Sequence, residues 1–104
     1  VLYKIAHERI TGKTPFAVGL QIKRKVFKNV SKLPENVRDR FFVLVKRLEN
    51  EGVTGGHVFP NYSKLSENEY HCHLTHHYVA CWRHEKGTLT VEVYYVGSRE
   101  DAPY

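Results

Sequence analysis

The chain has 104 residues, 41% of them hydrophobic and 26% charged, with a formal charge of +5. That length suits one domain around a single modest core, and the composition excludes disorder as the default state. No apolar run approaches the roughly 18 residues of a membrane span. The excess of base favours a polyanionic partner such as nucleic acid or the ribosome, its plainer reading being solubility alone. No secretory signal pattern opens the sequence, and Cys72 and Cys81 lack paired Cys-x-x-Cys spacing. Both features fit a reducing, cytoplasmic setting better than a disulfide framework.

Residues 1–15 read as an N-terminal extension: a possible short strand, then a turn at Thr11–Pro15. A hairpin with the next strand and an irregular arm are both open. Residues 16–104 read as the domain proper. Phe16, Val18, Leu20 and Ile22 alternate, predicting a first core strand. From Lys23 to Leu33 the period changes. Val26, Phe27, Val30 and Leu33 recur at three and four, with Lys25, Lys28 and Lys32 between them, an amphipathic helix with a basic outer face. Pro34 fits the first turn of a second helix, whose stripe is Val37, Phe41, Leu44, Val45 and Leu48 and whose stop is Gly52. The short link predicts a helical hairpin packed on the sheet.

After a loop over 52–60, a short strand is expected within 62–65. Strands follow near Tyr70–Leu74, Tyr78–Arg83 and Thr88–Val96, a meander rich in Val, Tyr and Thr. The class is therefore α+β: a strand, a two-helix hairpin and a three- to four-strand antiparallel meander, with the helices on one face.

Five of the seven histidines lie between His71 and His84. Alternation sets His71 and His73 on one side of their strand and Tyr70, Cys72 and Leu74 on the other. The apolar trio suits the core, so the two imidazoles should face outward, and Cys72 reads as a buried small hydrophobe. For Cys81 either side of its strand remains open. A metal site is one reading of the cluster, but no second motif supplies further ligands at a recognised spacing. Solvated polar residues are another, and for His57, His76 and His84 taken singly the better one. General acid–base chemistry is the third: imidazole titrates near neutrality, and beside a guanidinium it can act on a phosphodiester. RNA supplies its own nucleophile, the 2′-hydroxyl, and such a cleavage needs a base, an acid and a cation, without metal or cofactor.

Lys64-Leu65, Tyr70-His71-Cys72-His73, the Tyr78–Arg83 strand and the ending Val96-Gly97-Ser98-Arg99-Glu100-Asp101-Ala102-Pro103-Tyr104 together resemble the RelE/ParE superfamily of bacterial toxin–antitoxin systems. The resemblance covers about Phe16 to Tyr104 and looks closest to RelE-like toxins of the RelE and YafQ branch. It implies a RelE-like sheet with a helical hairpin and an endoribonuclease that cleaves mRNA on the small ribosomal subunit and so inhibits translation. It also implies a cognate antitoxin in a hetero-oligomer, with no membrane association. By resemblance, Arg99 stabilises phosphate charge, Tyr104 stacks on or activates the RNA, and His71 and His73 stand where RelE has two lysines. The place of His73 is that of a catalytic histidine in the YafQ branch. Lys64 falls in the segment that approaches the RNA backbone, and His77 stands where the YafQ branch has an acidic residue. With Arg83, Tyr78, Lys25, Lys28 and Lys32 they make up the expected RNA-binding set.

The pattern also departs from the family. Val79 replaces a second RelE arginine, a loss that Arg83 would have to offset, and Arg99 replaces a YafQ-branch histidine. A ParE-like gyrase inhibitor without nuclease activity is the alternative, and an inactive antitoxin- or RNA-binding relative is a third reading. His71 and His73 together with Arg99 favour the nuclease, because a gyrase-binding surface has no need of paired imidazoles.

Overall fold

A computed structural model describes residues 19–84 and 90–104 in full, and the backbone of 2–4. Six strands form one sheet: β1 (Leu2–Lys4), β2 (Gly19–Lys23), β3 (Ser63–Lys64), β4 (Glu69–His73), β5 (Tyr78–His84) and β6 (Thr90–Ser98). Helices α1 (Arg24–Val30) and α2 (Glu35–Glu51) lie between β2 and β3. The spatial order is β1-β2-β6-β5-β4-β3. The meander β4–β5–β6 is antiparallel, as its strand spacing predicts. The β2–β6 pair is parallel, with Leu20 opposite Val91 and Ile22 opposite Val93. Such a pair needs a long crossover, and the two helices supply it.

Leu2–Lys4 pairs antiparallel with residues 21–23, so part of the expected extension joins the domain's sheet. The predicted turn at 11–15 and the side chains Phe16 and Val18 lie outside the described residues, while Leu20 and Ile22 are buried as the alternation requires. The first helix is shorter than its pattern, because β2 runs through Lys23 and a turn takes over after Val30. Pro34 sits one position earlier than predicted, capping α2, with its carbonyl accepting from the Arg38 N–H at 2.9 Å. Glu35 follows in the first turn, where a carboxylate favours the helix dipole. Gly52 ends α2 at φ 76°, a left-handed conformation that costs glycine little.

The helices share one face of the sheet. Val26 and Val30 of α1 and the full predicted stripe of α2 join Leu20, Ile22, Cys72, Leu74, Ala80, Trp82, Val91, Val93 and Val96 in one core. Trp82 is its largest fully buried side chain. Its indole N–H donates to the Val53 carbonyl at 2.9 Å, and Tyr62 and Tyr70 lie nearly parallel to it at centroid distances of 6.2 and 6.3 Å. Gly56 is packed so closely that a Cβ there would stand 2.4 Å from the indole ring.

β6 carries an irregularity with consequences for the opposite face. Cys81 pairs with Tyr95 but Trp82 pairs with Val93, which leaves Tyr94 as an extra residue. Such a bulge shifts the alternation by one. Val93 and Val96 can then both enter the core, and the two tyrosines between them are only half-buried. The β4–β5 register settles Cys81, which is paired with His71 on β4 and lies buried on the face away from the helices.

Candidate active site: an imidazole pair beneath the C-terminal tyrosine

The β4–β5 register puts His71 opposite Cys81 and His73 opposite Val79, and it sends Cys72 and Ala80 to the core. The histidines therefore occupy the predicted side. They are not open to solvent there, as each is only 8% exposed. Two segments cover them. On one side the chain before β3 returns along β4, with the Pro60 carbonyl accepting from the His73 N–H at 2.8 Å. On the other the C-terminal tail brings the Tyr104 ring to 4.6 Å from that of His71, while the two imidazoles stand 5.6 Å apart. An alternation pattern reports which face a side chain takes, and it cannot report what later covers that face.

The tail is positioned by short-range bonds. The Arg99 N–H donates to the His77 carbonyl at 2.7 Å, which ties the end of β6 to the β4–β5 turn. A 3-10 turn follows over Arg99–Asp101, capped by Ser98, whose hydroxyl accepts from the Asp101 N–H at 3.2 Å. Gly97 has its own requirement: a Cβ would lie 2.8 Å from the Tyr95 hydroxyl, which itself donates to the Ser98 carbonyl at 2.6 Å. The Val-Gly-Ser-Arg stretch thus leads the chain back so that the exposed Tyr104 ring reaches His71, while the exposed Arg99 acts electrostatically on His73.

Electrostatics link the four groups. Desolvation lowers the His73 pKa, and the neighbouring His71, Arg99 and His76 lower it further. Desolvation also lowers that of His71, against a raising hydrogen bond to the Ser63 backbone. Both rings are thus biased toward the neutral form at pH 7. Desolvation raises the Tyr104 phenol, with Cys81 adding to the effect and Arg99 opposing it, so the phenol remains a proton donor there. Burial pushes the Cys72 and Cys81 thiols up to about 12, which leaves both without nucleophilic thiolate. Among the described residues no three His, Cys, Asp or Glu side chains are grouped to hold a metal ion.

The depressed imidazole values make a stability prediction. In the unfolded chain the rings bind protons near pH 6.5, before the folded rings do. Their contribution is thus complete above that pH and is lost as pH falls through the lowered folded values. Urea midpoints are expected to drop between pH 7.5 and 5, and the drop should shrink in a His71→Gln, His73→Gln variant. An equal drop in that variant would assign the acid sensitivity elsewhere.

Other expected residues lie apart from this centre. Arg83 is engaged within the sheet: its guanidinium sits 4.1 Å from the Tyr94 ring centroid, 3.8 Å from Glu69 and 3.3 Å from Glu92. It therefore does not stand free to replace the clamp lost at Val79. Tyr78 packs half-buried against the core. Lys64 pairs with Tyr70, whereas Ser63 is the residue opposite His71, so the register turns Lys64 away from the imidazole side. Lys25 and Lys28 are exposed on α1, in the layer behind the sheet. Lys32 lines a cleft of about 310 Å³ with Ser98 and Asp101, which brings it near the C-terminal turn. His77 lends its backbone carbonyl to Arg99, and its ring meets that of His76 at 4.8 Å.

Two residues escaped the sequence reading. Ser63 Oγ lies 3.0 Å from His71 Nδ1, and Asn61 Nδ2 lies 3.4 Å from His73 Nδ1. Asn61 is in the left-handed region at φ 58°, which asparagine tolerates better than most residues. A loop Asn after Pro60 carries no signal of this kind, and only the β3–β4 pairing brings it to the ring.

An α+β sheet with one parallel pair, crossed over by two helices on one face, defines the fold class. Two solved complexes share the fold. A chain of the archaeal RelE–RelB complex from Pyrococcus horikoshii OT3 superposes with a TM-score of 0.62 at 19% identity, the match covering 80% of this chain and 96% of that one. A chain of the toxin–antitoxin complex RelBE2 from Mycobacterium tuberculosis superposes at 0.59 with 14% identity, covering 80% and 99%. The fold is thus RelE-like, as the motif resemblance predicted. No protein-family model matches the chain, and no curated protein matches it. No described helix is long and apolar enough to cross a membrane.

Proposed function

We propose that this chain is the toxin of a toxin–antitoxin pair and acts as an endoribonuclease on ribosome-bound mRNA. The observation that carries the reading is the convergence of His71, His73 and Tyr104, with Arg99 near enough to perturb His73 and Tyr104. The RelE-like fold of the two solved complexes supports it and supports a cognate antitoxin as partner. The +5 charge suits a polyanionic substrate.

In the proposed reaction a neutral imidazole takes the proton of a 2′-hydroxyl, and O2′ attacks the adjacent phosphorus. The P–O5′ bond breaks, and the leaving oxygen takes a proton from the acid of the cluster. The products are a 2′,3′-cyclic phosphate and a 5′-hydroxyl. Arg99 offsets the charge that gathers on the phosphoryl oxygens, and the exposed Tyr104 offers a stacking surface for a base, an interaction worth about 1–3 kcal/mol. Lys32 extends the positive surface beside the C-terminal turn.

The test is induced expression followed by mapping of message ends. Wild type is expected to arrest growth and to leave ribosome-associated breaks with 5′-hydroxyl ends, and His73→Ala to relieve both. Arrest with intact messages and damaged DNA would replace this reading with a gyrase inhibitor.

A further inference from the structure

We infer that Asn61 and Ser63 are positioning residues that hold the two imidazoles in opposite tautomers, making His71 the proton acceptor at Nε2 and His73 a donor at Nε2–H. The functional half of this assignment rests on the proposed RNA cleavage, but the tautomers themselves do not.

The argument starts from donor and acceptor chemistry. A carboxamide nitrogen can only donate. Asn61 Nδ2, 3.4 Å from His73 Nδ1, therefore requires a lone pair on that nitrogen, and the proton of the neutral ring must sit on Nε2. Ser63 meets His71 Nδ1 through its hydroxyl at 3.0 Å, and a hydroxyl oxygen can accept the proton of that nitrogen; the raising influence of the Ser63 backbone on the His71 pKa points the same way. In this assignment His71 carries its proton at Nδ1, donated to the Ser63 hydroxyl, and Nε2 keeps its lone pair. The partner of one ring nitrogen selects the chemistry of the other.

The consequence is a division of labour between residues two apart on one strand. His71 Nε2 takes the 2′-hydroxyl proton and becomes imidazolium. Next to Arg99, the Nε2–H of His73 donates a hydrogen bond to a phosphoryl oxygen. Tyr104, whose phenol holds its proton at neutral pH, protonates the departing O5′ and becomes phenolate, and solvent then returns the proton from His71. The titratable and charged groups acting on His73 are His71, Arg99 and His76, and the Tyr104 ring lies tilted against His71 at 4.6 Å.

Asn61→Asp tests this, because a carboxylate accepts where the amide donates and aspartate also tolerates the left-handed backbone. Imidazole 15N chemical shifts of the full chain at pH 8 are the readout. The expected wild-type spectrum shows His71 protonated at Nδ1 and His73 at Nε2. In Asn61→Asp the His73 proton should move to Nδ1 and its titration midpoint should rise, with the His71 tautomer unchanged. RNA cleavage by the variant should fall off above the raised His73 midpoint, because only the protonated ring then still carries an Nε2–H. A shared tautomer in wild type, or a His73 spectrum indifferent to Asn61→Asp, would overturn the inference. Absence of cleavage with the expected spectra would sink the nuclease reading and leave the tautomer assignment standing.

Discussion

Arg99→Gln is expected to lower RNA cleavage by about 10²–10³-fold, the loss typical of removing one preorganised group that stabilises transition-state charge. Its backbone, not its side chain, holds the fold, through the N–H donated to the His77 carbonyl at 2.7 Å. Among the described residues the guanidinium has no acidic partner, so its charge remains available to a phosphate. Glutamine keeps the backbone bond and a polar side chain, and stability should change by no more than about 0.5 kcal/mol, as for other exposed positions. The substitution has a second signature: Arg99 helps depress the His73 pKa, so its removal should raise the His73 midpoint. Cleavage kinetics, a thermal melt and an NMR titration of one preparation check all three. Full activity in Arg99→Gln would remove the residue from phosphate stabilisation.

Trp82→Ala is expected to destabilise the fold by about 3–5 kcal/mol, the usual range for deleting a buried aromatic. The indole is fully buried, stacks with Tyr62 and Tyr70, and donates to Val53. Its removal opens a cavity beside Gly56 and leaves the Val53 carbonyl without that donor. Set against the 5–15 kcal/mol typical of a whole domain, the loss is large. At roughly 4–8 °C per kcal/mol it should lower the melting temperature by about 12 °C or more. Trp82→Phe, which fills most of the space but donates nothing, should fall between. A melting temperature within a few degrees of wild type for Trp82→Ala would show that this core collapses around the gap.

These two residues illustrate different degrees of legibility. The α2 stripe from Val37 to Leu48 was readable because a helix buried on one face repeats its apolar residues at three and four, and every predicted member is buried. The strand facing of His71, Cys72 and His73 followed from a period of two. Cys81 could not be placed, because β5 is buried on both faces and its apolar run carries no alternation to read. Tyr94 and Tyr95 share a side only because of a bulge, a pairing event between two strands that neither strand announces.

The site divides in the same way. The chemistry available was visible in residue types: imidazoles on one strand side, an arginine and a tyrosine at the end of the chain. Their meeting was not visible. It depends on β6 lying beside β5 and on the Arg99–His77 bond that turns the tail back. The expected roles of Arg83 and Lys64 met competing partners that spacing cannot reveal, two carboxylates and a tyrosine ring for the first and a register one residue off for the second.

By itself, then, the sequence determined the order and type of the main elements and the face each apolar stripe buries, because periodicity and turn chemistry act over a few residues. Tertiary structure alone decided the parallel β2–β6 pair, the covering of the imidazoles by Tyr104 and the choice of Asn61 and Ser63 as their partners. Each of those is a contact between segments far apart in the chain, selected by the packing of the whole.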